Sequence, residues 1–275
     1  MANNKFAIVI PVYSLHLKSY QICVLDYLIS ICKEFQIIII HPRSFELDID
    51  NAEILVRYGF HHIAFDDSYF KNIESYNRLC LSYSFYNCFS DFDYIIIHQL
   101  DAFLFRNELN YWLDKNYDYV APPWVGVDVF KFIRGTFENN VPLLLKAKVL
   151  PLHKALFGHD FLVGNGGISL RKVKTFKRVL KLYNKQARNW PYNEDLFYSL
   201  FIPAHYPFFR IPSFNKSLAF GFDLNPLEAF EMNKNELPMA AHGFDKPNYF
   251  LQWKEIMARS PHIVFQEVLK SIENE

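Results

Sequence analysis

Over its first hundred residues the chain alternates short continuous apolar runs with stretches of helical spacing. FAIVIPVY (6–13) is a β-branched run that ends at a proline, which suits a buried parallel strand and the turn after it. SYQICVLDYLISICKEF (19–35) places apolar residues near a helical period. QIIIIHP (36–42) is a second buried strand stopped by Pro42, and YGFHHIAFD (58–66) a third and weaker one. The spacing of NIESYNRLCLSYSFYNCFS (72–90) predicts a helix, with DYIIIHQLDAFLF (93–105) as the next strand. Such a βαβαβαβ order predicts an α/β fold with a mostly parallel central sheet flanked by helices. Ligands of these sheets bind beyond the carboxyl ends of the strands, where Tyr13, His41, Asp66 and Asp101 fall.

After Pro122-Pro123-Trp124 the pattern loosens, and residues 125–160 have no firm period. A stretch of that length reads as a functional loop, here a lid that orders when a ligand binds. VGNGGISL (163–170), a helix over RKVKTFKRVLKLYNKQ, the segment NEDLFYSLFIPAHY (193–206) and a terminal helix from Phe250 complete the reading. There is no internal repeat and no low-complexity linker, so residues 1–275 are expected to form one domain.

Composition narrows the class. Hydrophobic residues at 51% and aromatics at 18% exclude a disordered chain. Lys+Arg and Asp+Glu balance at 29 each, so no net field calls for nucleic acid or an anionic membrane, although local basic patches are compatible with that total. Cys23, Cys32, Cys80 and Cys88 form no CxxC pair and show no zinc spacing, and read as reduced core thiols of a cytosolic protein. MANNKFAIVIPVY lacks the apolar core of a signal peptide, and no apolar run approaches the roughly 18–20 residues that span a bilayer. The expectation is a soluble, cytoplasmic protein. Docking at the periphery of the inner membrane through exposed aromatics stays open.

Five places carry candidate chemistry. Asp101 ends a buried strand, where an unpaired charge is costly, so it caps a turn, pairs with a cation or binds a hard metal such as Mn²⁺ or Mg²⁺. Gly166-Gly167 permits a tight turn or close approach of another group, with Asn165 offering both a donor and an acceptor. Asn193-Glu194-Asp195 opens a helix, as a favourable first-turn charge or as a general base. His242 stands before a glycine in an unpatterned segment, as an ordinary side chain or a second metal ligand. Arg78 is a solvated charge or a phosphate clamp.

Taken in order, these segments bring in a resemblance. YNRLCLSYSFYNCFSDFDYIIIHQLDAFLF resembles the part of GT-A glycosyltransferases where an Arg-bearing helix precedes the strand ending in Asp-x-Asp. VGNGGISLRK, NEDLFYSL and a late His-Gly resemble the Gly-Gly, Glu-Asp and His signatures of inverting galactosyltransferase-like members. The whole is similar to a bacterial family, often assigned to polysaccharide biosynthesis, with QxDAF, DYxxxPW and GNGGxSLR motifs, here Gln99–Phe103, Asp118–Trp124 and Gly164–Arg171.

The resemblance implies a GT-A-like (Rossmann-like) fold, with a nucleotide-binding half over about 1–124 and an acceptor and catalytic half over about 125–275. It implies transfer of a sugar from a nucleoside-diphosphate sugar, UDP-sugar by default, to a hydroxyl of a glycan or lipid-linked acceptor. Pro11, Val12, Tyr13, Arg78, Gln99, Asp101, Asn165, Gly166 and Gly167 would meet the donor. Asp101 and His242 would hold Mn²⁺ or Mg²⁺, Asp195 would be the base, and Glu194 would position the acceptor. Gln99 stands where the motif has its first Asp, which weakens the expected metal site or makes metal dispensable. It also favours the alternative of a non-catalytic nucleotide-sugar or glycan-binding protein on the same fold. A nucleotidyltransferase would need a glycine-rich loop after the first strand, and PVYSLHLKSYQ has no glycine.

Overall fold

Four apolar runs become parallel neighbours because both of their faces are covered. The computed structural model describes residues 5–46, 53–127 and 163–275. Strands β1 (Phe6–Pro11), β2 (Gln36–Pro42), β3 (His61–Phe65) and β4 (Tyr94–His98) pair in parallel in the order β3-β2-β1-β4. Val9, Ile38, Ile40, Ile95 and Ile97 pack on one face with Phe85 and Phe176. Ile8, Ile10, Ile37, Ile39 and Ile96 pack on the other with Leu25, Leu28 and Trp112. Helices α1 (Ser19–Ile31), α2 (Glu53–Tyr58), α3 (Ile73–Cys80), α4 (Tyr83–Asn87) and α5 (Leu109–Asp114) connect and cover these strands. The sheet then extends through β7 (Ile168–Lys172), antiparallel to β4, and β6 (Tyr119–Val120) at the edge.

A second sheet has the order β5-β9-β8, from β5 (Ala102–Leu104), β8 (Gly221–Phe222) and β9 (Ala240–His242). Between β7 and β8 run α6 (Val173–Leu182), α7 (Asn184–Arg188), α8 (Glu194–Leu196), α9 (Ile202–His205) and α10 (Phe214–Phe220). The short α11 (Pro226–Met232) and the C-terminal pair α12 (Pro247–Arg259) and α13 (Ile263–Glu273) complete the fold. Phe103, Phe105, Trp253 and Phe265 form the core under the small sheet.

Some elements differ from the reading of the sequence. The run 93–105 is two strands in two sheets, with a turn at Gln99–Asp101 in which Ala102 N donates to Gln99 O at 3.0 Å. The helix expected over 72–90 is broken at Leu81, and the Ser82 hydroxyl caps α4 by accepting from Phe85 N at 3.1 Å. The terminal helix begins at Pro247 rather than Phe250 and is split before Pro261, whose ring cannot continue it. All four cysteines are free, but only Cys32 and Cys80 are buried; Cys88 is exposed. The proposed lid lies, from residue 128 to the end of the stretch at 160, outside the described residues. Among the described residues no helix is long and apolar enough to cross a membrane.

Candidate functional site

The parallel strands run outward from β1 in one direction to β2 and β3, and in the other to β4. That reversal leaves a crevice between the ends of β1 and β4, the usual ligand position in open α/β sheets. A cleft of about 890 Å³ lies there, lined by Pro11 and Tyr13 from one strand end and Gln99 and Asp101 from the other. Tyr13 meets Tyr76 and Phe70 edge-to-face, with ring centroids 5.7 and 5.8 Å away, so the β1 end carries an aromatic wall. Val12 is buried and donates its N–H to Ile40 O at 2.9 Å, so it supports the strand end without lining the cleft.

The turn between the two sheets decides where Asp101 goes. Gln99 N donates to Gly167 O at 2.8 Å, and Gly243 N donates to Asp101 O at 2.9 Å. Ala102 then pairs with His242, which brings the imidazole against the carboxylate. His242 Nδ1 donates to Asp223 Oδ1 at 2.9 Å. Its Nε2 lies 3.4 Å from Asp101 Oδ1 and 3.3 Å from Gln99 Oε1. Burial disfavours the imidazolium, but the Asp101 and Asp223 carboxylates outweigh it and raise the pKa to about 10. Burial likewise works against ionised Asp101, yet His242 and, more weakly, Lys246 hold its pKa below the usual value. His98, one residue before the turn, is kept neutral by burial, with its pKa lowered to about 4.

Among the described residues no group of three or more His, Cys, Asp or Glu side chains is arranged to hold a metal ion. One carboxylate, one imidazole and one amide oxygen nevertheless converge in Asp101, His242 and Gln99. Two ligands of one ion, each about 2.1 Å from it and 90–110° apart, lie about 3.0–3.4 Å from each other. The 3.4 and 3.3 Å separations around Nε2 fit that spacing. A carboxylate holding the far nitrogen is the usual support of a metal-binding histidine. With Nε2 deprotonated, the donor set therefore fits a divalent cation, with a neutral amide as its weakest member.

GNGG packs against this cluster. A Cβ on Gly167 would stand 1.9 Å from His242 Nε2, and one on Gly166 would stand 2.8 Å from Glu194 Oε1. The missing side chains thus make room for the protein's own imidazole and carboxylate, while both glycines still line the cleft. Asn165 is committed internally: its Oδ1 accepts from Gly167 N at 2.7 Å and from Ile168 N at 2.8 Å. Gly167→Ala is expected to drive His242 out of its bridge, costing about 1–3 kcal/mol by overpacking. Urea unfolding measures that loss, and titration with Mn²⁺ should show binding lost along with it.

The Asn193-Glu194-Asp195 turn lines the same cleft, with Glu194 beside Gly166. Glu194 Oε1 accepts from Arg171 at 2.8 Å, and Arg171 is completely buried. Arg171 also donates to Tyr86 Oη at 2.8 Å and to Ser169 Oγ at 3.0 Å. Glu194 Oε2 is buried with no hydrogen-bond partner. Asp195 is pushed up to about 7 by burial and then by the neighbouring Glu194 charge. The chain continues through a π turn, Phe197–Phe201, of a kind found often near functional sites.

Arg78 stands apart. Its side chain is 67% exposed, is paired with Glu74 and faces a smaller hollow of about 250 Å³ shared with Trp190. From the same helix Tyr76 and Asn77 reach the main cleft, and Asn77 Nδ2 donates to Asn193 Oδ1 at 3.1 Å. Arg171 closes the GNGGxSLR motif but was given no role there, and Asp223, Lys18 and Lys246 were not singled out in the sequence. Arg171 looked like part of a basic helix, and Asp223 lies in an unpatterned stretch. Lys246 had one local signal, a Lys-Pro pair opening a helix.

A family model described as "Protein of unknown function (DUF5672)" matches residues 59–242. A search of curated proteins found no match. Among solved structures the chain is similar to mouse xyloside xylosyltransferase 1 in its apo form, at TM-score 0.53 and 14% identity, over 89% of this chain and 98% of that one. It is also similar to the galactosyltransferase LgtC in complex with donor and acceptor sugar analogs, at TM-score 0.52 and 15% identity, over 96% and 95%. A third likeness is to the bifunctional glycosyltransferase WbbM in its apo form, at TM-score 0.50 and 11% identity, over 98% of this chain and 52% of that one. At these identities the likeness is one of fold: a mostly parallel sheet flanked by helices, of the GT-A kind.

Proposed function

The chain belongs to the family described as a protein of unknown function (DUF5672), a description without an activity, and from its cleft we propose a glycosyltransferase. It would move a sugar from a nucleoside-diphosphate sugar, UDP-sugar by preference, to a hydroxyl of a glycan or lipid-linked acceptor in cell-surface polysaccharide synthesis. One observation carries this reading. A cluster suited to a diphosphate and its counter-ion shares one cleft with a carboxylate whose pKa is about 7.

The diphosphate side combines Asp101, His242 and Gln99 with Lys246 and Lys18, all lining the cleft. A divalent cation held by the first three would supply Lewis-acid charge to the departing diphosphate. Lys246 and Lys18 add charge that needs no cation. Tyr13, with Phe70 and Tyr76 behind it, offers a surface for the nucleobase.

On the acceptor side, Asp195 takes the proton of the attacking hydroxyl. The acceptor oxygen bonds to the anomeric carbon while the bond to the diphosphate breaks, its electron pair leaving with the phosphate. Attack from the side opposite the leaving group inverts the anomeric centre. Glu194, tied to Arg171 through Oε1, keeps Oε2 for an acceptor hydroxyl. Arg78, outside the cleft, has no part in this scheme.

A second reading, a nucleotide-sugar or glycan-binding protein without turnover, is favoured by one residue, the amide Gln99 at a ligand position. Thermal shift with UDP, GDP, dTDP and CDP, with and without Mn²⁺, tests the donor side. A ligand that binds only the native state stabilises it by about 2.7 kcal/mol at a hundredfold excess over Kd. The expected result is a shift with UDP, strengthened by Mn²⁺ and lost in Asp101→Ala. Gln99→Asp, adding an anionic ligand, is expected to tighten Mn²⁺ about tenfold or more. Absence of any nucleotide shift would overturn the transferase reading and leave a glycan-binding protein without turnover in front. Binding with no sugar transfer to any glycan or lipid-linked acceptor would leave the second.

A further inference from the structure

Helices α6 and α7 present a face that the cleft does not use. Between Lys172 and Asn193 the chain has no acidic residue. Val173, Phe176, Val179 and Leu180 are buried against the sheet. Lys174, Lys177, Lys181, Lys185 and Arg188 recur every three or four residues on the opposite side, with Arg178 beside them, all exposed or partly so. Several cations elsewhere on the surface are paired: Arg57 with Asp26, Arg106 with Glu108, Lys254 with Glu273, Arg259 with Glu231. Among the described residues none of the six on this face has a carboxylate within salt-bridge distance. The chain as a whole has a formal net charge of zero, so this stretch without acids is a local excess of positive charge.

Apolar side chains stand among these cations. Phe208 is 78% exposed and Leu182 61%. Arg178 reaches Tyr206 Oη at 3.3 Å, and the Tyr206 ring lies 6.0 Å from Phe208, which places Phe208 at the edge of the stripe. Lys177 lies 5.5 Å over the ring of Tyr83, itself exposed. The stripe ends a few residues before Asn193, which lines the cleft.

We propose that this face docks on the anionic surface of a lipid bilayer, its lysines and arginines meeting headgroup charge while Phe208 and Leu182 enter the interface. A duplex nucleic acid would use the cations, but offers exposed Leu182 nothing; a bilayer uses both. The proposal goes beyond the cleft chemistry and does not depend on it. Docked in this way, the stripe would set the Asn193 side of the cleft next to the lipid surface.

Flotation of the intact chain with vesicles tests it, comparing phosphatidylcholine alone with phosphatidylcholine containing phosphatidylglycerol. Wild type should float with the anionic vesicles and not with the neutral ones, and added salt should release it. Each cation near an anionic surface changes partition about fivefold, so Lys174→Gln/Lys181→Gln/Lys185→Gln should weaken binding by about a hundredfold. Phe208→Ser, with charge unchanged, should weaken it several-fold. The triple variant should melt as wild type does and give the same nucleotide shifts, which separates this result from any failure of the cleft reading. Equal binding to both vesicles, or an unaffected triple variant, would overturn the proposal. So would tighter binding to a DNA duplex than to anionic vesicles together with no effect of Phe208→Ser.

Discussion

Asp195→Asn should lower sugar transfer by about 10²–10⁴-fold, the range expected when a positioned general base is removed, while leaving nucleotide binding intact. The pH profile identifies the group. With the Asp195 pKa near 7, kcat/KM of wild type should rise with pH up to about 7 and then level, because only the carboxylate accepts the proton. The same shift has an opposite effect on stability. The folded pKa lies above the unfolded value of 3.8, so between the two the native state binds more protons than the unfolded chain. Its contribution is full below the unfolded pKa and is lost as pH rises through about 7. Asp195→Asn removes that loss, so the inactive variant should melt a few degrees higher than wild type above neutral pH. Rate loss with a flat pH profile in the variant, plus this melting difference, would distinguish a base from a structural carboxylate. A variant that transfers sugar at near wild-type rate would exclude Asp195 as the base.

Arg171→Met should be the most damaging single change to stability, at about 3–5 kcal/mol, because it leaves the Glu194 carboxylate buried without its cation. Total stabilities are about 5–15 kcal/mol, so the variant should lose a large part of its resistance to urea. Combining Arg171→Met with Glu194→Gln removes the stranded charge and should recover part of that loss. Equal stability of the single and double variants would show that the cost comes from packing against Tyr86 and Phe176 and not from the uncompensated carboxylate.

Much of the large sheet was legible because both of its faces are buried, which leaves continuous apolar runs at 6–11, 36–42 and 94–98. The turn at Gln99–Asp101 was not, since Ala102–Leu104 resume the same composition in another sheet. Register, not residue type, separates the two strands. Of the candidate site, Gln99, Asp101, Asn165, Gly166, Gly167, Glu194, Asp195 and His242 do line one cleft. Arg78 was misplaced by a single helical step: Asn77, about 100° around α3, is the residue that faces inward. Asp223 and Arg171 act through partners 19 and 23 residues away, a separation that no local pattern encodes.

The cleft is a seam between two hydrophobic cores. Asp101 and His242 hang from the small sheet and its aromatic core, whereas Asp195 follows the helices packed behind the large one. In the proposed reading, recognition of a nucleotide and abstraction of a proton would therefore rest on different sets of core contacts. Drift in one core can erase turnover while the other goes on holding its ligand. A lineage built on this scaffold can move between transferase and receptor by changing one side of the seam, with the opposite wall left as it was.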